Sequence, residues 1–296
     1  MPSIACRRPE WGGDLSPGIL HLWGMASPTC RIAATLLLAA APAAGRALEP
    51  LALPGEGAAV APAPGPALVF HLHPSADTLT IGAAALAVTL PSLFSEELIK
   101  TRCPCDPATV NGFDRSAISN HNAAADVVSS VTVVAAMVAP PLLDLADLGT
   151  GDAFYGDLTV FADVLLVNAA LVEGAKYVFQ RPLPRTYAGD PKLVSSSGGY
   201  RSFYSGHTST AFAALTATAY TMRLRRGEQV WPWIVAAGVG ASVGVERVAA
   251  GRHFPSDVIV GAVAGTLVGI GVPWLHTRGR LAIVPAGRGL ALAAEL

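Results

Sequence analysis

The chain is short of charge. Only 14% of its 296 residues are Asp, Glu, Lys or Arg, little more than half the share of an average soluble domain, about 25%. Chains that stay disordered combine high charge with low hydrophobicity, so that class is excluded, and an ordinary cytosolic enzyme fits poorly. The formal net charge of −1 lacks the basic excess that contact with phosphodiester backbones requires, so no nucleic-acid partner is expected. Aromatics are scarce at 7%. The apolar character therefore comes from Ala, Leu and Val, the residues of packed or lipid-facing helices. Four cysteines do not make a disulfide scaffold at this length. Cys103 and Cys105 form a Cys-Pro-Cys pair in a polar loop, and His121 is the only further ligand in reach for a metal. A disulfide or two free thiols is the expectation there. These shortages point to an all-α protein in or against a membrane.

Arg31 precedes the apolar run Ile32–Ala41, and small residues follow through Ala47. That is the pattern of a signal-like segment with Met25 near its start; an uncleaved anchor is the alternative. Residues 1–47 form this N-terminal region, 48–75 a linker rich in Pro, Ala and Gly, 76–280 the main helical domain and 281–296 a C-terminal tail. Within the domain, apolar stretches at 78–95, 126–143, 157–179, 208–222, 230–248 and 256–275 approach the ~20 residues that span a bilayer. They predict a bundle of about six helices, with Pro140-Pro141 ending the second. Asp163 and Glu173 interrupt the third. In a membrane helix such groups face the bundle interior; in a water-soluble bundle Asp163 would be exposed. Arg223, Arg225 and Arg226 follow the fourth stretch, and Arg278 and Arg280 the sixth. The positive-inside rule puts these on the cytoplasmic side and the loops at 181–207 and 249–255 on the external face.

Those two loops hold the chemistry. Lys176 and Arg181-Pro182 close the third stretch, Ser202 to His207 precede the fourth, and Arg247-x5-His253-x3-Asp257 joins the fifth to the sixth. The types suit phosphoryl transfer. Lys176, Arg181 and Arg247 can surround the non-bridging oxygens of a phosphate, and Ser205 and Gly206 present backbone N–H groups at a helix N-terminus. One histidine can attack phosphorus while the other protonates the leaving oxygen. Asp257, four residues after His253, can reach an imidazole nitrogen and fix its tautomer, which makes His253 the nucleophile and His207 the acid. Three cations and a helix end carry the electrostatic load, so no metal or other cofactor is expected.

In their order, the three clusters resemble the signature motifs of the type 2 phosphatidic acid phosphatase (PAP2) and vanadium haloperoxidase superfamily: Lys-x6-Arg-Pro, Pro-Ser-Gly-His and Ser-Arg-x5-His-x3-Asp. The resemblance covers roughly residues 126–275. It implies a helical bundle, a phosphohistidine intermediate and, in the phosphatases, no metal. It also implies His253 as nucleophile, Asp257 as its partner, His207 as acid, and Lys176, Ser205, Gly206 and Arg247 as phosphate ligands. Three positions depart. Leu183 stands where the family Arg falls, so Arg181 or Arg185 has to fill the place, and Arg181 is the choice. Tyr204 replaces the Pro of the second motif, and Glu246 replaces the Ser before Arg247. The expected function is a membrane phosphatase cleaving a lipid phosphate or diphosphate at the external face of a bacterial inner membrane. The alternatives are a soluble exported acid phosphatase acting on small esters and a non-catalytic membrane protein with a degenerate phosphate site.

Overall fold

A computed structural model describes residues 67–277, 281–286 and 289–294. The signal-like segment and the linker as far as residue 66 lie outside the described residues. Each apolar stretch becomes one long helix: α1 (Pro74–Leu93), α2 (Ala123–Leu148), α3 (Asp152–Phe179), α4 (Gly206–Arg226), α5 (Trp231–Ala249) and α6 (Pro255–Thr277). Local chemistry fixes the boundaries. The Asn122 side chain caps α2 by accepting from Ala125 N–H, and Gly149, at φ 70°, ends it. Pro at the first position opens α1 and α6. Pro140-Pro141 does not end α2, which runs on to Leu148. Neighbouring helices tolerate such breaks when they bury the freed backbone groups, and Pro140 is buried. The expected C-terminal tail contains an antiparallel hairpin, β1 (Leu281–Ala286) with β2 (Gly289–Ala294), in which Leu281 pairs with Ala294.

Among the described residues, four helices are long and apolar enough to cross a membrane: α1, α2, α3 and α6. Their outer faces are strongly apolar. Val127, Val131, Val134 and Val138 form an exposed stripe on α2, and Ile259, Val263 and Leu267 another on α6. Stripes of that length at helical spacing are lipid-facing surface, and the chain is a membrane protein. Two of the six expected spans, α4 and α5, miss the mark: Glu246-Arg247 interrupts α5, and α4 is rich in Thr and Ser ahead of its closing arginines. For α4 the reason is its position. It packs against α2, α3, α5 and α6, and its buried residues are Thr208, Ser209, Ala211, Ala213, Ala214, Thr216, Ala217, Ala219 and Tyr220. A helix surrounded by protein needs small side chains rather than apolar bulk. Opposite it, α6 carries Gly261, Gly265 and Gly269 at four-residue spacing. A Cβ on Gly265 would stand 2.1 Å from the Ser209 carbonyl oxygen, and one on Gly261 2.8 Å from that of Ser205. The helices touch backbone to backbone along this seam.

Successive helices run in opposite directions. Ion pairs mark the two ends: Arg247 with Asp126 at one, Arg225 with Asp157 and Arg226 with Asp147 at the other. Residue 67 lies at the second end, where the Ala67 carbonyl accepts from Arg225. Both connections that carry the motifs lie at the first.

Candidate active site

His253 sits in the turn between α5 and α6 and is 5% exposed. Its Nδ1 lies 2.7 Å from the Ser202 carbonyl oxygen. A carbonyl only accepts, so Nδ1 carries the proton and Nε2 keeps a lone pair. Burial, followed by the nearby cations Arg247 and Lys176, holds this imidazole well below the usual histidine range, against the opposing pull of the Ser202 hydrogen bond. The ring is neutral and presents one nucleophilic nitrogen.

Asp257 does not contact that ring in the expected way. Its Oδ2 is 4.0 Å from His253 Nδ1, and the carboxylate is filled by other donors. Oδ2 accepts from Ser202 Oγ at 2.5 Å and from Phe254 N–H at 3.0 Å; Oδ1 accepts from Arg181 at 2.5 Å. Asp257 thus fixes Ser202, whose carbonyl fixes His253. The i, i+4 spacing brings carboxylate and ring near each other, but the intervening turn leaves the Ser202 carbonyl in first place.

Arg181, chosen from sequence as a phosphate ligand, is used elsewhere. It donates to Asp257, to Ser256 Oγ at 2.9 Å and to Asp114 at 2.8 Å, and its guanidinium stacks 4.1 Å over the Phe254 ring. Just before Arg181, Gln180 ends α3 in the left-handed conformation at φ 44°. The other candidate, Arg185, pairs with Asp190 at 2.6 Å. Leu183 is buried, with its N–H on the Gly199 carbonyl.

The cation that does stand beside Lys176 is Arg201, which sequence reasoning passed over. Glu173 bridges the two: Oε1 accepts from Lys176 Nζ at 2.9 Å and Oε2 from Arg201. Arg201 Nε is buried with no hydrogen-bond partner among the described residues, and so is Arg247 Nε. Buried N–H donors are rarely orphaned, and two on guanidiniums that both act electrostatically on Lys176 are suited to an anion. Arg247 is held by Asp126 at 2.6 Å and Ser129 at 3.3 Å; Asp126 also takes Arg252. Glu246 does not pair with Arg247, and its Oε2 is buried without a partner.

α4 begins at Gly206 directly under Lys176. A Cβ at Gly206 would meet Val172 at 3.1 Å and Lys176 Nζ at 3.5 Å. Its cap residue Ser205 makes no side-chain cap bond, and the first-turn N–H groups have no intrahelical acceptor. Ser205 contributes less than expected as a ligand, since its N–H donates to the Asp257 carbonyl and its hydroxyl bonds Thr208. His207 follows, with Nε2 3.3 Å from Ser130 Oγ. Lys176, Glu173, Gly206 and His207 form the polar end of a cavity of about 260 Å³, whose other walls are Val88, Val133, Met137, Ala169, Val172 and Thr210.

Sequence reasoning gave Asp114 no role, yet it is 1% exposed and clamps the site from below. It accepts from Arg181, Ser256 and Asn111. Burial raises its pKa, but the bonds from Arg181, Ser256 and Asn111 outweigh that and hold it at about 2. The nearby Cys103 and Cys105 are joined by a disulfide, and His121 is exposed with its Nδ1 on the Ser119 carbonyl. Tyr200 is loop packing, fully buried with its hydroxyl on the Val194 carbonyl.

Residues 157–280 match the model of the PAP2 superfamily. A curated relative, lipid A 1-phosphatase of Porphyromonas gingivalis, is 37% identical over 107 residues, which are 36% of this chain and 20% of that protein. The chain therefore spans about a fifth of the length of the curated relative it matches. Among solved structures, Aquifex aeolicus LpxE is 25% identical over 53% of this chain and 90% of its own, with a TM-score of 0.39. A transmembrane PAP2-type phosphatidylglycerolphosphate phosphatase from Bacillus subtilis is 20% identical over 68% and 94%, also at 0.39.

Proposed function

We propose that this chain, whose residues 157–280 match the PAP2 superfamily model, is a membrane phosphatase that removes phosphate from a lipid phosphate or diphosphate. One observation carries this reading: the cavity beside Lys176 and His207 is walled by Val88, Val133, Met137, Ala169 and Val172 from lipid-facing helices. A phosphate at its polar end with acyl chain along its apolar wall matches that division of surface. A small water-soluble ester has no use for the apolar part, and the exposed stripes on α2 and α6 weigh against a soluble enzyme. Arg201 weighs against a degenerate site, since it restores a cation lost at Leu183.

In this reading Lys176, Arg201, Arg247 and the N–H groups of Gly206 and His207 surround the phosphate oxygens, and Glu173 holds Lys176 and Arg201 in place. His253 Nε2 attacks phosphorus and the P–O bond to the leaving group breaks as His207 donates its proton to that oxygen. Water then attacks the phosphohistidine, His207 takes a proton from it, and the P–N bond breaks to release inorganic phosphate. Burial, followed by the like charges of Arg247 and Lys176, disfavours the protonated form of His207, so the incoming dianion is what favours it. The reacting groups are all side chains or backbone of this chain, and the charge on phosphorus is met by fixed cations.

The external face of an inner membrane fits the site end of the bundle. A disulfide persists in oxidising compartments, and Cys103–Cys105 lies on the connection that packs under the site. Arg223, Arg225 and Arg226 mark the other end as cytoplasmic. The same orientation puts residue 67 on the cytoplasmic side.

The test is phosphate release by the detergent-purified chain from phosphatidic acid, a lipid diphosphate, lipid A 1-phosphate and p-nitrophenyl phosphate. At least one lipid is expected to be turned over far faster than the soluble ester, and His253→Ala to abolish it. Full activity in His253→Ala, or a preference for the soluble ester, overturns the reading.

A further inference from the structure

Asp77 of α1, Asp163 of α3 and His276 of α6 meet inside the bundle at the end away from the phosphate site. Asp163 lies thirteen residues before Lys176 on one continuous helix, about 20 Å along its axis at 1.5 Å per residue. His276 Nε2 is 3.4 Å from Asp77 Oδ1 and 3.5 Å from Asp163 Oδ2. One ligand atom from each of the three lies within 4.8 Å of the other two. These separations are long for hydrogen bonds. They match a shared cation, because two ligands about 2.0–2.1 Å from a tetrahedral ion stand ~3.4 Å apart.

Charge and orientation point the same way. Asp163 is 1% exposed, and neither carboxylate oxygen has a hydrogen-bond partner among the described residues. Asp77 is also buried and accepts the His73 backbone N–H at 2.8 Å. His276 Nδ1 lies 2.9 Å from the Val272 carbonyl, so Nδ1 holds a proton and Nε2 faces the two carboxylates, carrying there either a second proton or a metal ion. A lone pair facing two anions needs a positive partner between them. Arg225, at the same end, is already taken bidentately by Asp157 at 2.6 Å. A proton on His276 leaves the trio with a net charge of −1 inside the bundle, whereas a divalent ion with a neutral imidazole leaves none. An uncompensated buried charge is strongly disfavoured.

We propose that Asp77, Asp163 and His276 bind one divalent transition-metal ion, Zn²⁺ or Mn²⁺, that ties α1 to α3 and α6. One imidazole and two carboxylates suit these ions better than Mg²⁺ or Ca²⁺, which favour all-oxygen shells. At this distance from His253 the ion takes no part in phosphoryl transfer. Its role is to fasten α1, whose preceding segment also bonds α6 through His71 N–H to the His276 carbonyl at 2.8 Å.

The test uses the tag-free full chain in detergent, stripped with EDTA, then equilibrated with Zn²⁺ or Mn²⁺ and assayed for bound metal and thermal stability. The wild type is expected to bind one equivalent and to melt roughly 5 °C higher at saturating metal. Asp163→Asn and His276→Gln are expected to bind at least about tenfold more weakly, without that rise. Since either variant can disturb the fold, the wild type is also loaded with Co²⁺. A visible d–d band that saturates at one equivalent and is displaced by Zn²⁺ is expected. Less than about 0.1 equivalent bound, no Co²⁺ band, or undiminished binding in folded variants overturns the proposal.

Discussion

Substituting Gly265 by Ala tests whether backbone contact between α4 and α6 sets the geometry of the site. The added Cβ would stand 2.1 Å from the Ser209 carbonyl oxygen and 2.9 Å from its carbon. Bringing the first distance to ~3 Å, the closest approach a methyl tolerates, needs the helices to part by about 1 Å. Nothing nearby can yield instead, because the obstacle is backbone rather than a side chain. α6 carries Asp257 at its start and α4 carries Gly206 and His207 at its own. A shift between them separates His207 and Gly206, the proposed proton donor and phosphate cradle, from the group that holds Ser202 and His253. Overpacking of this kind costs about 1–3 kcal/mol of stability, and a 1 Å misplacement of reacting groups costs about 100-fold in rate. The assay is phosphate release from a lipid phosphate beside thermal unfolding in detergent. Gly271→Ala is the control, since a Cβ there meets nothing within 4 Å. A Gly265→Ala enzyme with wild-type turnover and stability would refute the reasoning.

Arg201 and Arg181 should separate by phenotype. Arg201→Ala is expected to raise KM or weaken vanadate inhibition by about 10–100-fold, the loss of a charged hydrogen bond, in a stably folded protein; unchanged vanadate affinity removes Arg201 from the phosphate pocket. Arg181→Ala strands the buried Asp257 and Asp114 carboxylates and is expected to destabilise by about 3–5 kcal/mol, visible in thermal melts without substrate. For pH, the folded state holds His253 neutral where the unfolded chain would bind a proton. Its contribution is full above about pH 6.5 and falls as pH drops through the lowered folded value, by up to ~1.4 kcal/mol per pH unit. The melting midpoint of His253→Gln should therefore fall less steeply below pH 6.5 than the wild type's; parallel curves would contradict a neutral buried imidazole. A reporter fused after residue 226 is expected to read cytoplasmic, and an external reading inverts the proposed orientation.

The six helices were legible because each coincides with an apolar run. Pro140-Pro141 misled, since a break signal in water is tolerated where neighbouring helices bury it. The gathering of Lys176, Gly206, His207, Arg247 and His253 at one end of the bundle was legible because each lies at a helix end within a recognisable spacing; their chemical roles belong to the proposal. The groups that hold them were not. Arg247 finds Asp126 across 121 residues and Ser256 finds Asp114 across 142, and no local pattern encodes such pairs. Arg181 was misread because its partners Asp114, Ser256 and Asp257 lie 67 to 76 residues away along the chain, where no local spacing signals them. Arg201 carried a faint signal as a cation one residue before the Ser-Gly-His cluster's own Ser202, but only the tertiary bridge through Glu173 brings it beside Lys176.

The central claim is that His253 forms a covalent bond to phosphorus. It is tested most directly by rapid acid-free quenching of the enzyme with ³²P-labelled lipid phosphate, followed by alkali and acid treatment of the labelled protein. A label that survives alkali, is lost in acid and is absent from His253→Ala is the predicted result. Undiminished turnover or labelling in His253→Ala would contradict it.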